Sequence, residues 1–544
     1  MQKERPVGRE SRFAPIPSER SPHVLERCPA RHPHGAAVAP LIRSVVVGGG
    51  GAGIPLAVRL ADDPRRQVTL LEAGPARGPA ELRDAGSLRG AAPDHPNNWA
   101  YPASLGSGRN GVLARGRVLG GSTAINGTGF TRATPGDFRR WAAAGGARWD
   151  MAHARTLMAA FERNLATPAG GRGIPREPRR GAMPISRPPL TGPMAAAFVA
   201  AARAAGFPCE SDKNRGAAPG VGPVPANAVD GIRFSTALAY RPETHPRLRI
   251  ITDTAALRVA FVPGTTQVTG VATAGGVIPA DEVVLAAGAI ATPQLLILSG
   301  IGPRAELARL GITLRADLPV GSTLSDHPTV ALEWRSRVPL VADTTGYSFS
   351  AALHFASGIG GAARDVSEAD LEILLPVRPF PELIAGGTAA SSQHHLLVSL
   401  QEPLGRGTLR VRSRDPGEPP EISLHHLEHP TDLARLRFGV RTAMELLHGP
   451  EFAGLFTAFD EPPRDRVSSD HALDAWIIGH LGTAFHTSGT APLGSVVDGG
   501  GHVHGTVGLR VADLSILPSV PHRGPAHTAV LIGESIADHM RTGR

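Results

Sequence analysis

An α/β fold class is what this sequence of 544 residues predicts, and three observations near its start carry the prediction. A β-branched run, LIRSVVV at 41–47, reads as a strand buried on both faces. A glycine-rich turn, GGGGAG, follows at once, with Gly48, Gly50 and Gly53 in G-x-G-x-x-G spacing. A second strand, QVTLLEAG, then closes on Glu72, 19 residues past Gly53. In such a turn one glycine permits the tight bend, one lets a pyrophosphate approach the backbone, and one lets the following helix, Ile54–Leu60, pack closely. The unit is Rossmann-like. An acid at the ribose-hydroxyl spacing argues for an unphosphorylated ribose, hence NAD or FAD rather than NADP.

Composition limits what can surround that unit. Gly 65 and Pro 50 predict many loops and close backbone approaches. The net charge of +8 is half located in residues 1–43, which carry eight Lys or Arg against four Glu in a Pro-rich stretch without periodicity, read as a disordered basic tail. With aromatics at 4% and no basic stripe interleaved with them, nucleic-acid binding is a poor reading. Only Cys28 and Cys209 occur, so a disulfide framework and a Cys-based metal site are excluded and a cytoplasmic setting is expected. The apolar stretches 194–202 and 283–301 are short or interrupted, so no membrane span is predicted, and the charged start lacks the apolar core of a signal peptide.

Later segments narrow the cofactor. RGRVLGGSTAINGTGFTRATPGDFRRW at 115–141 offers Gly116, Gly120, Gly121 and Gly127 with Ser122 and Asn126, a loop of small residues able to hug a flat ring and donate backbone N–H groups. DEVVLAAGAI at 281–290 is a buried strand turning through Ala and Gly, and GLRVADLSILP is a strand ending on Asp513. With GAIATPQLLILSGIG at 288–302, DLPVGSTLSDHP at 317–328, RGTLRVRSRDPGEPPEI at 406–422 and AFHTSGTAPLGS at 484–495, these segments resemble, in order, the signatures of the glucose-methanol-choline (GMC) oxidoreductases. Those are FAD enzymes that oxidise alcohols. The resemblance covers about residues 44–540, although the family usually has Asn at the place of Thr323.

The resemblance implies a discontinuous FAD-binding domain at 44–160, 225–325 and 476–544 beside an α+β substrate-binding domain with an antiparallel sheet at 161–224 and 326–475. It implies non-covalent FAD, because AIN at 124–126 has no histidine where some members tether the flavin. Asp513 resembles the acceptor for the ribityl chain, with a cap on the next turn as the alternative, and Pro525 falls in the last cofactor-contacting motif. His486 matches the catalytic histidine. Hydride transfer to flavin N5 requires loss of the hydroxyl proton, and an imidazole of pKa near 6.5 is suited to accept it.

The family's second His or Asn falls on Gly524, so that role does not carry over. His527 and His522 flank the position and are the candidates to replace it, ordinary loop histidines being the other reading. GVGPVPANAVDGIRFSTALAY at 220–240 and Gly524–Pro525 resemble the mycofactocin-associated branch, which implies a peptide-derived redox carrier as substrate in place of a small-molecule alcohol. A choline-dehydrogenase-like alcohol dehydrogenase or oxidase, and a non-redox hydroxynitrile lyase keeping FAD structurally, remain open, and the electron acceptor is not indicated. HHLEH at 425–429 would pair His425 and His429 on a helix, but bracketing prolines and the lack of a third ligand weigh against a metal site. DLARLRFGVRTAMELL at 432–447 reads as an amphipathic helix packed on the surface, with at most peripheral membrane contact.

Overall fold

The computed structural model describes residues 41–165, 181–216, 218–340, 346–360, 368–385 and 391–543. The expected tail thus lies, except for its last three residues, outside the described residues.

Five strands form a wholly parallel sheet in the order Leu248–Ile251, Arg66–Leu71, Ile42–Val47, Glu282–Leu285, Leu509–Val511. Val45, Val46, Val68, Leu70, Val283 and Val284 are buried, as strands covered on both faces require. The helix Gly53–Ala61 leaves the end of the first strand and buries Ile54, Leu56, Ala57 and Leu60. The last helix, Ala526–Thr542, lies on it so closely that a Cβ at Gly533 would come within 2.2 Å of the Ala52 carbonyl oxygen.

A second, antiparallel sheet runs in the order Phe456–Glu461, Pro328–Leu340, Ser391–Leu400, Leu371–Pro376, Phe349–Phe355, Val221–Pro223. Its two faces differ. Val330, Leu332, Trp334, Leu371, Ile373, Leu396 and Val398 form one core cluster with Leu436, Val440 and Ala443 of the helix Pro430–His448. The alternate positions Thr329, Ala331, Glu333, Glu372 and Leu374 are half-buried on the opposite face. That helix is the amphipathic one expected from the sequence, and its polar side turns to another helix: Arg437 pairs with Asp474 and Arg441 with Asp470, both at 2.6 Å. Gly482–Thr483 pairs with Pro328–Thr329, which ties the start of the long strand to the segment bearing His486.

A smaller sheet joins the two halves. Tyr101–Gly106 and Arg109–Leu113, from the first block expected to hold the cofactor, pair with Glu421–Ser423 and Thr408–Arg410. Among the described residues no helix is long and apolar enough to cross a membrane.

Candidate active site

The glycine turn is shaped by contact. Gly48 has φ +106°, and a Cβ there would lie 2.5 Å from the Ala286 carbonyl oxygen; one at Gly53 would lie 1.9 Å from that of Gly48. Both are positions that only glycine fills without displacing backbone. Glu72 closes the turn: Gly49 N donates to its Oε2 and Gly74 N to its Oε1, each at 2.8 Å. Burial outweighs those two bonds and pushes the Glu72 carboxyl up to about 7. The second small-residue loop docks on the first. Gly120 N donates to Gly49 O at 2.7 Å, and a Cβ at Gly121 would sit 2.7 Å from Gly50 Cα. Ser122 Oγ accepts from Gly116 N at 3.2 Å and Asn126 Oδ1 from Thr128 N at 3.1 Å.

His486 stands where these loops meet the antiparallel sheet. Phe485, just before it, has φ +63°, a left-handed conformation unusual for a bulky residue and fixed by its N–H donating to Thr483 Oγ1 at 2.9 Å. His486 N donates to Asp326 Oδ1 at 2.5 Å, Thr483 Oγ1 donates to Asp326 Oδ2, and His426 Nε2 lies 3.5 Å from that same oxygen. Burial raises the Asp326 carboxyl, but His426, Thr483 and His486 outweigh it and hold it at about 2. The His486 ring meets another imidazole: its Nδ1 is 2.9 Å from His327 Nδ1, the two rings edge to face. Burial, with the Arg115 charge, pushes His486 down to about 4 against the opposing field of Asp326. Burial and His486 likewise keep His327 well below the usual histidine range. Both rings are therefore neutral at pH 7. The other edge of His486 faces Gly524, where a Cβ would lie 3.6 Å from Cε1 and 3.7 Å from Nε2.

Comparison with known proteins places this geometry. The GMC oxidoreductase family model matches residues 42–329 and, in its C-terminal part, 403–533. The chain belongs to the GMC oxidoreductases. It is similar to an uncharacterised GMC-type oxidoreductase of Rhodococcus erythropolis, 35% identical over 90% of this chain and 96% of the relative. It is 31% identical to an oxygen-dependent choline dehydrogenase of Sinorhizobium fredii over 91% of this chain and 95% of that one. Among solved structures, pyridoxine 4-oxidase from Mesorbium loti superposes with a TM-score of 0.82 at 28% identity, covering 92% of this chain and 99% of the other. A formate oxidase gives 0.83 at 25% identity, covering 94% and 99%.

GMC oxidoreductases bind FAD, and the residues present fit it. The fingerprint offers backbone amides at the start of a helix, the 115–127 loop meets it glycine against glycine at Gly121 and Gly50, and 115–141 holds no histidine that could tether the ring. Asp513 is the most committed of the expected cofactor residues. Its Oδ2 accepts from Gly288 N at 2.8 Å and Thr292 Oγ1 at 2.6 Å, and its Oδ1 from Ser515 N at 2.8 Å. It thus caps the next turn, the alternative considered from the sequence, with one lone pair of Oδ1 left over. Pro525 is the cap residue of the helix Ala526–Thr542.

The GMC fold does not bring the two flanking histidines to His486. His527 is buried between Phe130 and Phe161 with Nε2 2.7 Å from Glu162 Oε1, a carboxylate also held by Arg132. The start of the last helix turns its ring inward. His522 is buried with Nδ1 3.0 Å from Asp137 Oδ1 and 2.6 Å from Arg140 Nη2. The residue that does meet His486 is His327, in the SDHP motif. Only its place beside Asp326 in a recognised segment could have marked it. Nor do His425 and His429 share a helix: His425 has φ +52° and pairs with Glu428 at 2.8 Å, and His429 caps the helix Pro430–His448. The intervening His426 is the one that reaches the site.

Proposed function

We propose that this FAD-dependent oxidoreductase acting on CH–OH donors oxidises its alcohol to a carbonyl with His486 Nε2 as general base. The observation that supports this most is the pairing of His486 Nδ1 with His327 Nδ1 at 2.9 Å, which leaves Nε2 directed at Gly524. A neutral imidazole has one N–H and one lone pair. In the tautomer in which Nδ1–H is donated to His327 Nδ1, the lone pair of His486 is at Nε2, where a substrate hydroxyl can be deprotonated. The same bond holds the imidazolium that results. Asp326 fixes the backbone of His486, and Arg115, whose Nη2 donates to Thr487 Oγ1, holds the next residue. Bound FAD supplies the acceptor, at N5, for the hydride leaving the same carbon.

Gly524 gives this base no second hydrogen-bonding side chain where other members place one. That supports a substrate larger than a simple alcohol. With segment 220–240 and Gly524–Pro525, it supports reoxidation of a mycofactocin-type carrier as the specific reaction. The test is anaerobic bleaching of the bound flavin by a panel of alcohols that includes choline, pyridoxine and reduced mycofactocin. Bleaching by at least one donor is expected. Turnover of a cyanohydrin with the flavin staying oxidised would replace this reading with the lyase one.

A further inference from the structure

The residue preceding Gly524 is Arg523, 4% exposed, and its guanidinium makes one hydrogen bond, from Nη1 to the His522 carbonyl at 2.9 Å. Among the described residues no carboxylate lies within ion-pair distance of it. The acids whose fields reach it are Glu210, Glu372, Asp137 and Glu368, and each is held by another group. Glu210 binds Lys213 at 2.8 Å, Glu372 binds His354 Nε2 at 2.8 Å, Asp137 binds Arg140 at 2.6 Å, and Glu368 binds Arg139 at 2.7 Å. Nε and Nη2 of Arg523 therefore form an unused fork in a nearly dry place. A buried guanidinium is costly unless an anion answers it, and its planar fork matches a carboxylate in two parallel bonds.

The charge of Arg523 is felt by Lys213, His354 and Glu372, which belong to a polar surface. His354, Glu372, Ser399 and Thr329 are register partners in one row across four strands of the antiparallel sheet. Lys213 Nζ lies 3.0 Å from His354 Nδ1, and Ser399 Oγ lies 2.8 Å from Thr329 Oγ1. Thr329 is two residues beyond His327, so by strand alternation this row lies on the face that carries His327 to His486. The side chains in the row satisfy one another. Arg523 does not join them, although the field of Glu372 reaches it.

We propose that Arg523 is a specificity-determining residue that binds a carboxylate of the substrate, making the donor a hydroxy acid rather than a neutral or cationic alcohol. This rests on the alcohol-oxidation reading above and puts a hydroxy acid in place of the mycofactocin-type carrier as the substrate. The carboxylate takes the Nε–H and one Nη2–H of Arg523, and the polar row receives the rest of the chain while the CH–OH carbon reaches His486.

The test uses the FAD-loaded full chain. Binding of acetate, propionate, hexanoate and benzoate, and of the matching amides, is followed by perturbation of the flavin visible spectrum and by calorimetry. At least one acid should bind tenfold or more tighter than its amide. Arg523→Gln should erase that preference and Arg523→Lys should restore part of it. The preference of acid over amide is a readout that loss of packing alone does not move, and Arg523→Lys guards against a Gln variant that fails to fold. Equal binding of acids and amides to the wild type, or an acid preference unchanged in Arg523→Gln, overturns the proposal. Flavin reduction by glycolate, 3-hydroxypropionate and 6-hydroxyhexanoate is then compared with 1-propanol and 1-hexanol. Arg523-dependent acid binding with no bleaching by any alcohol leaves the carboxylate site standing and refutes the oxidation reading. Bleaching by neutral alcohols with kcat/KM equal to that of the hydroxy acids does the reverse.

Discussion

His486 meets an imidazole, not a carboxylate, at Nδ1, and burial with the nearby Arg115 charge sets its protonation state. A carboxylate there would hold the ring protonated, whereas burial beside the neutral His327 brings it to about 4. The proposed base is thus ready without titration near neutrality. Flavin reduction should be flat from pH 8 down to about 5 and fall through an acid limb near 4, because protonation of Nε2 removes the lone pair; stopped-flow reduction across that range measures it. A limb at the ordinary 6.5 would show that burial and the Arg115 charge do not tune the ring. His486→Ala should keep FAD and slow reduction by about 10²–10⁴-fold. His327→Leu removes only the acceptor for Nδ1–H and should slow it by about 5–100-fold, the cost of one buried bond of about 1–3 kcal/mol. Of the two histidines only His486 is legible in the sequence, since its motif of small residues is local. His327 acquires its role when Gly482–Thr483 pairs with Pro328–Thr329 and brings together rings that are 159 positions apart. His522 and His527 mislead for a related reason: nearness in sequence to Gly524 says nothing of which way each ring turns, and Asp137 and Glu162 decide that.

At the scale of elements, what the sequence states clearly is contact enforced by glycine. Strand, turn, helix and acid at 42–72 are legible because each imposes a local rule, and the same holds for the helix Pro430–His448 with its period of 3.6. The docking of the last helix on the first is not legible, because Gly533 sits in an ordinary amphipathic pattern and only the fold puts the Ala52 carbonyl against it. Gly533→Ala places a methyl 2.2 Å from that oxygen, and the two helices must separate. The expected loss is about 1–3 kcal/mol of stability with weakened FAD retention, since the first helix opens at the phosphate-binding turn. Gly479→Ala is the matched control. It lies at the end of the helix Asp470–Gly479, where a Cβ meets nothing within 4 Å. There the lost freedom of the unfolded chain should leave stability equal or about 0.4–1 kcal/mol higher. Urea midpoints and flavin content of the two variants separate contact from propensity; equal stabilisation by both would mean that helix propensity, not the interface, governs.

In the whole molecule, the cofactor cradle is assembled from distant parts of the chain. The turn at 48–53, the loop at 116–126, the helix Gly288–Leu298, the His486 segment and Asp513 converge through the parallel sheet and the strand pairs that flank it. The hairpin at 101–113 is stitched to strands at 408–423. Such a cradle exists only in the folded chain, so a ligand that spans it should bind the native state and not the unfolded one. FAD then stabilises by mass action, by about 2.7 kcal/mol when free FAD is a hundred times its Kd. Apoprotein titrated with FAD should show a melting temperature that keeps rising with the logarithm of FAD concentration after the sites are filled. FMN lacks the adenosine half that the glycine spacing and Glu72 are expected to hold, so at equal concentration it should raise the melting temperature far less. If FMN matched FAD, the stabilisation would reside in the 116–126 loop alone, and the glycine turn with its buried Glu72 would be structure without a ligand. Disruption of the turn distinguishes the same two cases from the protein's side. Gly53→Ala, which drives a methyl to 1.9 Å from the Gly48 carbonyl oxygen, should abolish the FAD-dependent rise and leave whatever small response FMN gives.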